Sequence, residues 1–315
     1  MVELTWVPEA IRAFFWLYII TAVIALILAM VKPKTMLLRV VWSSVVLLVF
    51  VGLPYFKLKD NKAETALKES NEIYKAKLAV AEAAFNEHCK SSGEKVNKTV
   101  EGIEGVFWMK YRPISSNQGD QFKLDDPYGH DCSEEHCIRG LLKVSKGAEL
   151  NPKEAQEHSK GFTYVEAIDP QDNQLYRYIG VLKPKSTWTQ EKLEAYYKKL
   201  DRPIDPSDYG FGLERELITK NAAQYGITWE DLSTQEDRQK WIAGSTLQIL
   251  DLKNNEVIAE RIGYMMDRGQ GSRGGFRAPW QMALRNACPA FSDGQRTYQA
   301  MPKFVFKYLI PAEEK

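Results

Sequence analysis

AFFWLYIITAVIALILAMV, residues 13–31, contains no charged side chain, and VVWSSVVLLVFVGLPYF, residues 40–56, is a second uncharged run. The first is nineteen residues long. At about 1.5 Å of rise per residue it spans the hydrocarbon thickness of a bilayer as a helix. The second is seventeen residues long, and Met36, Leu37 and Leu38 lengthen it once Arg39 snorkels to the headgroups. Lys32, Pro33, Lys34 and Arg39 lie between the two runs. The pattern predicts a transmembrane helical hairpin in residues 1–56, with helices at about 13–31 and 36–56 and a basic loop. The lipid bilayer is then the partner of residues 13–56. Neither run has the polar face of a core helix in a soluble protein. A signal peptide fits poorly, because Glu3, Glu9 and a single Arg12 stand where a basic start belongs. The runs carry no intramembrane charge, so nothing in them supports transport or conduction.

Everything after Phe56 is polar enough to be soluble, and a hairpin returns it to the side on which the chain starts. The loop holds three basic residues and no acid, which favours a cytoplasmic loop and an exported domain. Lys57, Lys59, Lys62, Lys68, Lys75 and Lys77 argue the other way, although long domains translocate despite such charge. The cysteines tip the expectation towards a bacterial inner-membrane protein whose soluble domain is periplasmic. Lys plus Arg is 42 against 41 for Asp plus Glu, a formal net charge of +1. That balance removes the electrostatic argument for nucleic acid as a partner.

Residues 57–92 read as a juxtamembrane stalk helix. Ala63, Leu67, Tyr74, Leu78, Ala81, Phe85 and Cys89 recur at helical steps, with no Gly or Pro between Asn61 and Cys89. The stripe is expected to pack on the domain, since a coiled coil of mostly alanine makes a weak seam. From residue 93 to 315 the period alternates. Strands are expected at Val106–Arg112, Ile138–Val144, Phe162–Ile168 and Leu175–Leu182, the last two joined by the turn residues of 169–173. Ser245–Leu252 and Val257–Tyr264 form the clearest hairpin, around Asn254 and Asn255. Helices are expected at Thr189–Leu200, with Thr189 as N-cap, from Ser233 to Trp241 with Glu236 completing a capping box, and at Pro279–Ala287. A last strand is expected at Phe304–Ile310. The sum is an α+β soluble domain with a mainly antiparallel sheet.

The densest group of potential ligands is the 125–137 loop, which holds Tyr128, His130, Cys132, His136 and Cys137. Its compact spacing matches neither a structural zinc site nor a calcium loop, so no metal is assigned. A local Cys132–Cys137 bridge is the favoured reading. A bridge between Cys89 and Cys288 would tie the stalk to the domain, and two small buried thiols would fit those positions equally. Gly269 to Gly274 matches G-x-G-x-x-G, but its strand belongs to a hairpin and Pro289 soon ends any following helix, so no dinucleotide or other cofactor is expected. Arg268, Arg273 and Arg277 in that loop suit contact with a partner, as do Tyr128 and His130. No catalytic residue is assigned: nucleophile-elbow, zincin and Walker motifs are missing. His88 and His158 are expected to be exposed, and Glu230-Asp231 and Glu236-Asp237 to serve helix starts.

Short blocks between Cys89 and Phe291 resemble an uncharacterised family of proteobacterial envelope proteins. They are Glu101 to Val106, Asp125 to Gly129, Ile168 to Pro170, Tyr176 to Tyr178, Trp241 to Ser245, Asn255 to Arg261 and Asn286 to Phe291. The Cys89 and Cys288 blocks belong to the resemblance, whereas Cys132 and Cys137 do not. The family is similar to immunity proteins paired with type VI secretion phospholipase effectors. The resemblance implies a membrane-anchored periplasmic binding protein, not an enzyme, that neutralises a secreted antibacterial effector. The alternatives are a structural or assembly subunit of an envelope complex and a hydrolase with an unrecognised site.

Overall fold

The computed structural model describes residues 7–111, 135–185, 188–272, 274, 280, 283–290 and 300–313. The chain divides into two compact units, Met1–Ala76 and Lys77–Lys315.

In the first unit, α1 spans Val7–Val31 and α2 spans Met36–Leu47. Thr35 caps α2 by accepting a hydrogen bond from the Leu38 N–H, and the Arg39 Nε donates to the Pro33 carbonyl at 3.0 Å. A π-helical turn at Leu48–Gly52 joins α2 to α3, which runs from Leu53 to Ser91. Pro54 explains the irregular turn, because it has no N–H to give to the Phe50 carbonyl one turn earlier. The Tyr18 hydroxyl from α1 donates to that carbonyl instead, at 2.5 Å, with the two rings 5.5 Å apart. Two stretches, Phe14–Val31 and the apolar beginning of the helical run Met36–Ser91, are long and apolar enough to cross a membrane by length and composition.

The second unit begins inside α3. Ala81 and Phe85 are buried against Ile242, Tyr264 and Met266, with Leu78, Ala84 and Cys89 beside them. The apolar stripe of the helix therefore packs as expected from Leu78 onward. Leu67, further back on the same stripe, is 61% exposed.

The strands are β1 (Gly93–Val96), β2 (Val100–Ile103), β3 (Gly105–Trp108), β4 (Val144–Lys146), β5 (Tyr164–Ile168), β6 (Leu175–Pro184), β7 (Tyr209–Leu217), β8 (Tyr225–Asp231), β9 (Ile242–Asp251), β10 (Glu256–Met266), β11 (Ala287–Cys288) and β12 (Leu309–Pro311). The main sheet has the order β1-β10-β9-β8-β3-β5-β6-β4, with β11 beside β10 and β7 beside β6. It is mainly antiparallel, but β3 runs parallel to both of its neighbours, β5 and β8. Strand β12 pairs in parallel with β2. The β9–β10 and β5–β6 hairpins appear where their turn residues place them. Asn255 (φ 58°) and Asn173 (φ 56°) take the left-handed conformation that asparagine tolerates best among non-glycines.

The remaining helices are α4 (Glu135–Arg139), α5 (Pro152–Glu157), α6 (Gln190–Lys199), α7 (Gln235–Gln239) and α8 (Ala300–Tyr308). Thr189 caps α6 as its sequence predicts, accepting from the Lys192 N–H. The core gathers Val106 and Trp108 of β3, Phe162, Val165, Ile227 and Ile249, with Ile138 from α4 and Phe304 and Val305 from α8.

Five expectations are corrected. Residues 138–144 are not a strand: they finish α4 and turn, and only Val144 enters β4. Phe304–Ile310 is mostly helix, because Met301, Phe304, Val305 and Tyr308 bury one face at three- and four-residue steps. The capping box on α7 is one residue later than expected, with Thr234 as cap and Asp237 as its reciprocal partner. Strand β3 stops at Trp108, short of Arg112. Of the helix expected at Pro279–Ala287, the described residues show a 3-10 turn at Ala283–Arg285 and then β11.

Candidate functional site

Three of the residues singled out in the sequence come together where the end of α3 meets the sheet. Cys89 and Cys288 form a disulfide, with a Cα–Cα distance of 5.6 Å and a sequence separation of 199. Strand β11 carries Cys288 there by pairing with Tyr264 and Met265 of β10. Arg268, at the exit of β10, is held by the Glu82 carboxylate, its Nε donating at 3.1 Å. Its side chain stays 62% exposed, so an ion pair on the flank of α3 accounts for part of the charge first reserved for a partner.

His88 lies beside the disulfide and is half-buried rather than exposed. Its Nε2 is 2.7 Å from the Asp237 Oδ1, and its ring stacks on Tyr264 at 4.5 Å between centroids. Asp237 also accepts from the Thr234 N–H and hydroxyl, at 2.9 and 2.7 Å. Burial opposes ionisation of Asp237, but the hydrogen bonds from His88 and Thr234 outweigh it and hold the carboxyl below its ordinary value. The group is a clamp: the carboxylate that caps α7 also grips the last turns of α3. Glu236-Asp237 thus serves a helix start as expected, whereas Glu230-Asp231 ends β8. His158 is half-buried as well, stacked on Phe211 at 4.5 Å, and burial lowers its pKa.

A second fully desolvated carboxylate sits in the sheet. Glu166 on β5 accepts from Arg177 Nη2 at 2.7 Å and Nε at 3.1 Å, and from the backbone N–H groups of Ala222 and Ala223 at 2.9 and 3.1 Å. Its lone pairs are filled by neighbours that hold β5, β6 and the chain before β8 in place, which is a structural use.

An open concavity lies on the outer face of α6. Trp188, Lys192, Ala195, Tyr196 and Lys199 line a recess of about 500 Å³. A neighbouring recess of about 360 Å³ shares Trp188 and Tyr196 and adds Lys185, Leu193, Tyr197 and Asp208. Helical spacing aligns Lys192, Ala195, Tyr196 and Lys199 on one face of α6, and Trp188, just before the Thr189 cap, folds against Tyr196. Leu193, on the opposite side, is buried and anchors α6, while Tyr197 donates to the Asp208 carboxylate at 2.6 Å. Trp188 and Tyr196 meet edge to face at 5.0 Å and are 40% and 46% exposed. Among the described residues no carboxylate pairs with Lys192 or Lys199, whereas Lys98, Lys110, Lys146, Lys185 and Lys307 each have one. The sequence reasoning passed over this face. Its signal was an aromatic pair and two lysines in register on the solvent side of a correctly predicted helix.

Tyr128, His130, Cys132, Arg273 and Arg277 lie outside the described residues. Cys137 is buried in the core and disulfide-bonded. Among the described residues no three His, Cys, Asp or Glu side chains gather in a way that would hold a metal ion. Gly271 has φ +76° and lies against the Trp241 ring, so this glycine answers a tight turn and a close ring contact. The preceding strand, β10, pairs antiparallel with β9, not in the parallel unit that a dinucleotide fingerprint needs. Compared with family models, with curated proteins and with solved structures, the chain has no match.

Proposed function

We propose that this chain is a membrane-anchored periplasmic binding protein, an immunity protein that neutralises a secreted antibacterial effector of the phospholipase type by direct binding. In this reading α1 and the helical run 36–56 (α2, the π-helical turn and the first residues of α3) cross the inner membrane as a hairpin with the Lys32–Arg39 loop in the cytoplasm, and the domain from Lys77 onward faces the periplasm. The observation that carries the reading is the Cys89–Cys288 disulfide on the helix that continues from the apolar segment. Disulfides persist in oxidising compartments, so a bridged domain on an apolar anchor suits the outer side of the inner membrane. Support also comes from the use made of the buried polar groups: His88, Asp237, Glu166 and Arg177 hold elements together. A protein that blocks an effector needs an anchor at the site of attack and a rigid surface, and no reacting group of its own.

Two measurements test the reading. Thiol labelling of intact cells, with and without a membrane-permeant reductant, places Cys89 and Cys288: bridged cysteines facing the periplasm are expected, and reduced cytoplasmic cysteines would overturn the compartment. Co-purification of the full chain with the product of the neighbouring gene, paired with a protection assay against that product, tests the partner. Failure both to bind and to protect would end the immunity reading.

A further inference from the structure

The recess on α6 names the chemistry of a partner. We infer that the Trp188–Tyr196 face is a docking site for an acidic protein segment that inserts one apolar side chain between flanking carboxylates. The inference rests on the binding-protein reading and specifies where on the domain binding occurs and what is bound.

Charge complementarity carries the choice of occupant. Lys192 and Lys199 flank the larger recess without a carboxylate partner among the described residues, and no acid lines it. Two uncompensated ammonium groups beside half-exposed aromatic rings favour a ligand that brings negative charge and apolar area together. The recess is open and, at about 500 Å³, has room for an apolar side chain laid against the rings. A bilayer surface offers nothing to insert, and membrane-seeking aromatics and lysines protrude instead of lining a hollow. Nucleic acid is served badly by two free cations, because duplex binding relies on many phosphate contacts. Trp and Tyr are also the residue types that act as anchors in protein interfaces, where a pocket receives a partner's side chain.

The geometry also divides the work within the face. Trp188 and Tyr196 touch edge to face and present one continuous aromatic surface to the recess. Lys185 is engaged by Glu154 and Asp208 by Tyr197, so the smaller recess is closer to charge-neutral and its part is shape. Affinity is therefore expected to depend on the aromatic pair, and salt dependence on Lys192 and Lys199.

The test uses the full chain in lipid nanodiscs and fluorescence anisotropy of a fluorescein-labelled twelve-residue peptide with a central Leu-Trp pair flanked by Glu and Asp. Two controls are the same peptide with lysines in place of its acids and an all-acidic peptide without the apolar pair. The acidic-apolar peptide is expected to bind best, to weaken with added salt, and to lose about tenfold or more in affinity on Trp188→Ala or on Lys192→Glu with Lys199→Glu. These surface changes are expected to leave the thermal midpoint in place. Equal binding of the lysine peptide, no loss on charge reversal, or displacement of the peptide by phosphatidylglycerol in the nanodisc would overturn the inference. A charge-reversed chain that still co-purifies with its effector and protects against it would sink the α6 face alone. A wild-type chain that neither binds nor protects would instead remove the binding-protein reading.

Discussion

The Nε2 of His88 stands 2.7 Å from the Oδ1 of Asp237, so a residue in the last turns of α3 closes on the first turn of α7, 149 positions later. The same carboxylate completes the capping box with Thr234, and one side chain therefore fixes two helices. With the Cys89–Cys288 bridge beside it, the end of α3 is secured by a covalent link and a buried carboxylate together. The consequences are measurable.

Asp237 links this contact to pH. Its folded-state pKa lies below the ordinary 3.8, so it contributes stability that is fully present above that value. The contribution is lost as the pH falls below 3.8 and through the folded-state value. Asp237→Asn is expected to lower stability at pH 7 by about 1–3 kcal/mol, because the charge-assisted bonds to His88 and Thr234 are weakened. It is also expected to flatten the acid limb of the stability profile, below the ordinary value of 3.8. Thermal midpoints of the full chain across that range check the sign: a variant as acid-sensitive as the wild type would show that other carboxylates control the transition.

Removing the bridge should act on the unfolded chain first. It joins residues 199 apart, and the chain-entropy relation gives about 5 kcal/mol for a loop of that length, with measured values typically about 2–5. Cys89→Ser with Cys288→Ser is expected to lower the thermal midpoint by several degrees and to leave little further effect of reductant on that linkage. Proteolysis should then begin in the Leu78–Cys89 segment of α3. A midpoint unmoved by the double substitution would mean that the packing of Ala81 and Phe85 alone secures the helix.

Glu166 gives a sharper loss. Four hydrogen-bond donations converge on a carboxylate that is fully buried. Glu166→Ala leaves Arg177 and two backbone N–H groups without their acceptor and is expected to cost about 3–5 kcal/mol, as for a broken buried ion pair. Glu166→Gln keeps most of the shape and is expected to cost less. Chemical denaturation of both variants decides between them, and equal costs would show that charge, not shape, matters at this position.

Gly161 is fixed by space and backbone together. It has φ +144°, and a Cβ there would come within 2.7 Å of the Leu142 carbonyl carbon and the Lys143 nitrogen. Gly161→Ala must push apart the chain segments around Phe162, which donates its N–H to the Leu141 carbonyl at 2.8 Å. A loss of about 2 kcal/mol or more is expected in the same denaturation experiment. An unchanged midpoint would show that this corner relaxes freely.

Legibility in the sequence followed the range of the forces involved. The hairpins β5–β6 and β9–β10 and the helix α6 were readable because Asn173, Asn255 and Thr189 act within a few residues of themselves. Strand β3 between two parallel partners was not, since nothing in its four residues names Tyr164 or Gly226 as neighbours. Strands β1, β2, β7 and β8 were missed for a related reason: all four contain glycine and charged residues and gain their β character from pairing. Helix α8 misled because FVFKYLI is rich in aromatic and branched residues, yet its burial pattern is helical. At the candidate site, the two cysteines could be named as a possible pair but not joined, while the histidine beside them looked exposed. The α6 recess needed knowledge of which helix face the fold leaves uncovered, which follows from Leu193 seeking the sheet.

The disulfide at the end of α3 also decides how the domain would bear a mechanical load. A pull entering the second unit at Lys77 reaches Cys89 before it reaches β1. From there it passes sideways through Cys288 and β11 into β10. Strand β1 is hydrogen-bonded to β10 from Gly93 to Val96, and the bridge shields it from being peeled off as the first strand on the line of force. With the bridge in place, tension is shared across a long strand held on its other side by β9. Without it, the same tension would unzip the sheet from its edge, one pair at a time.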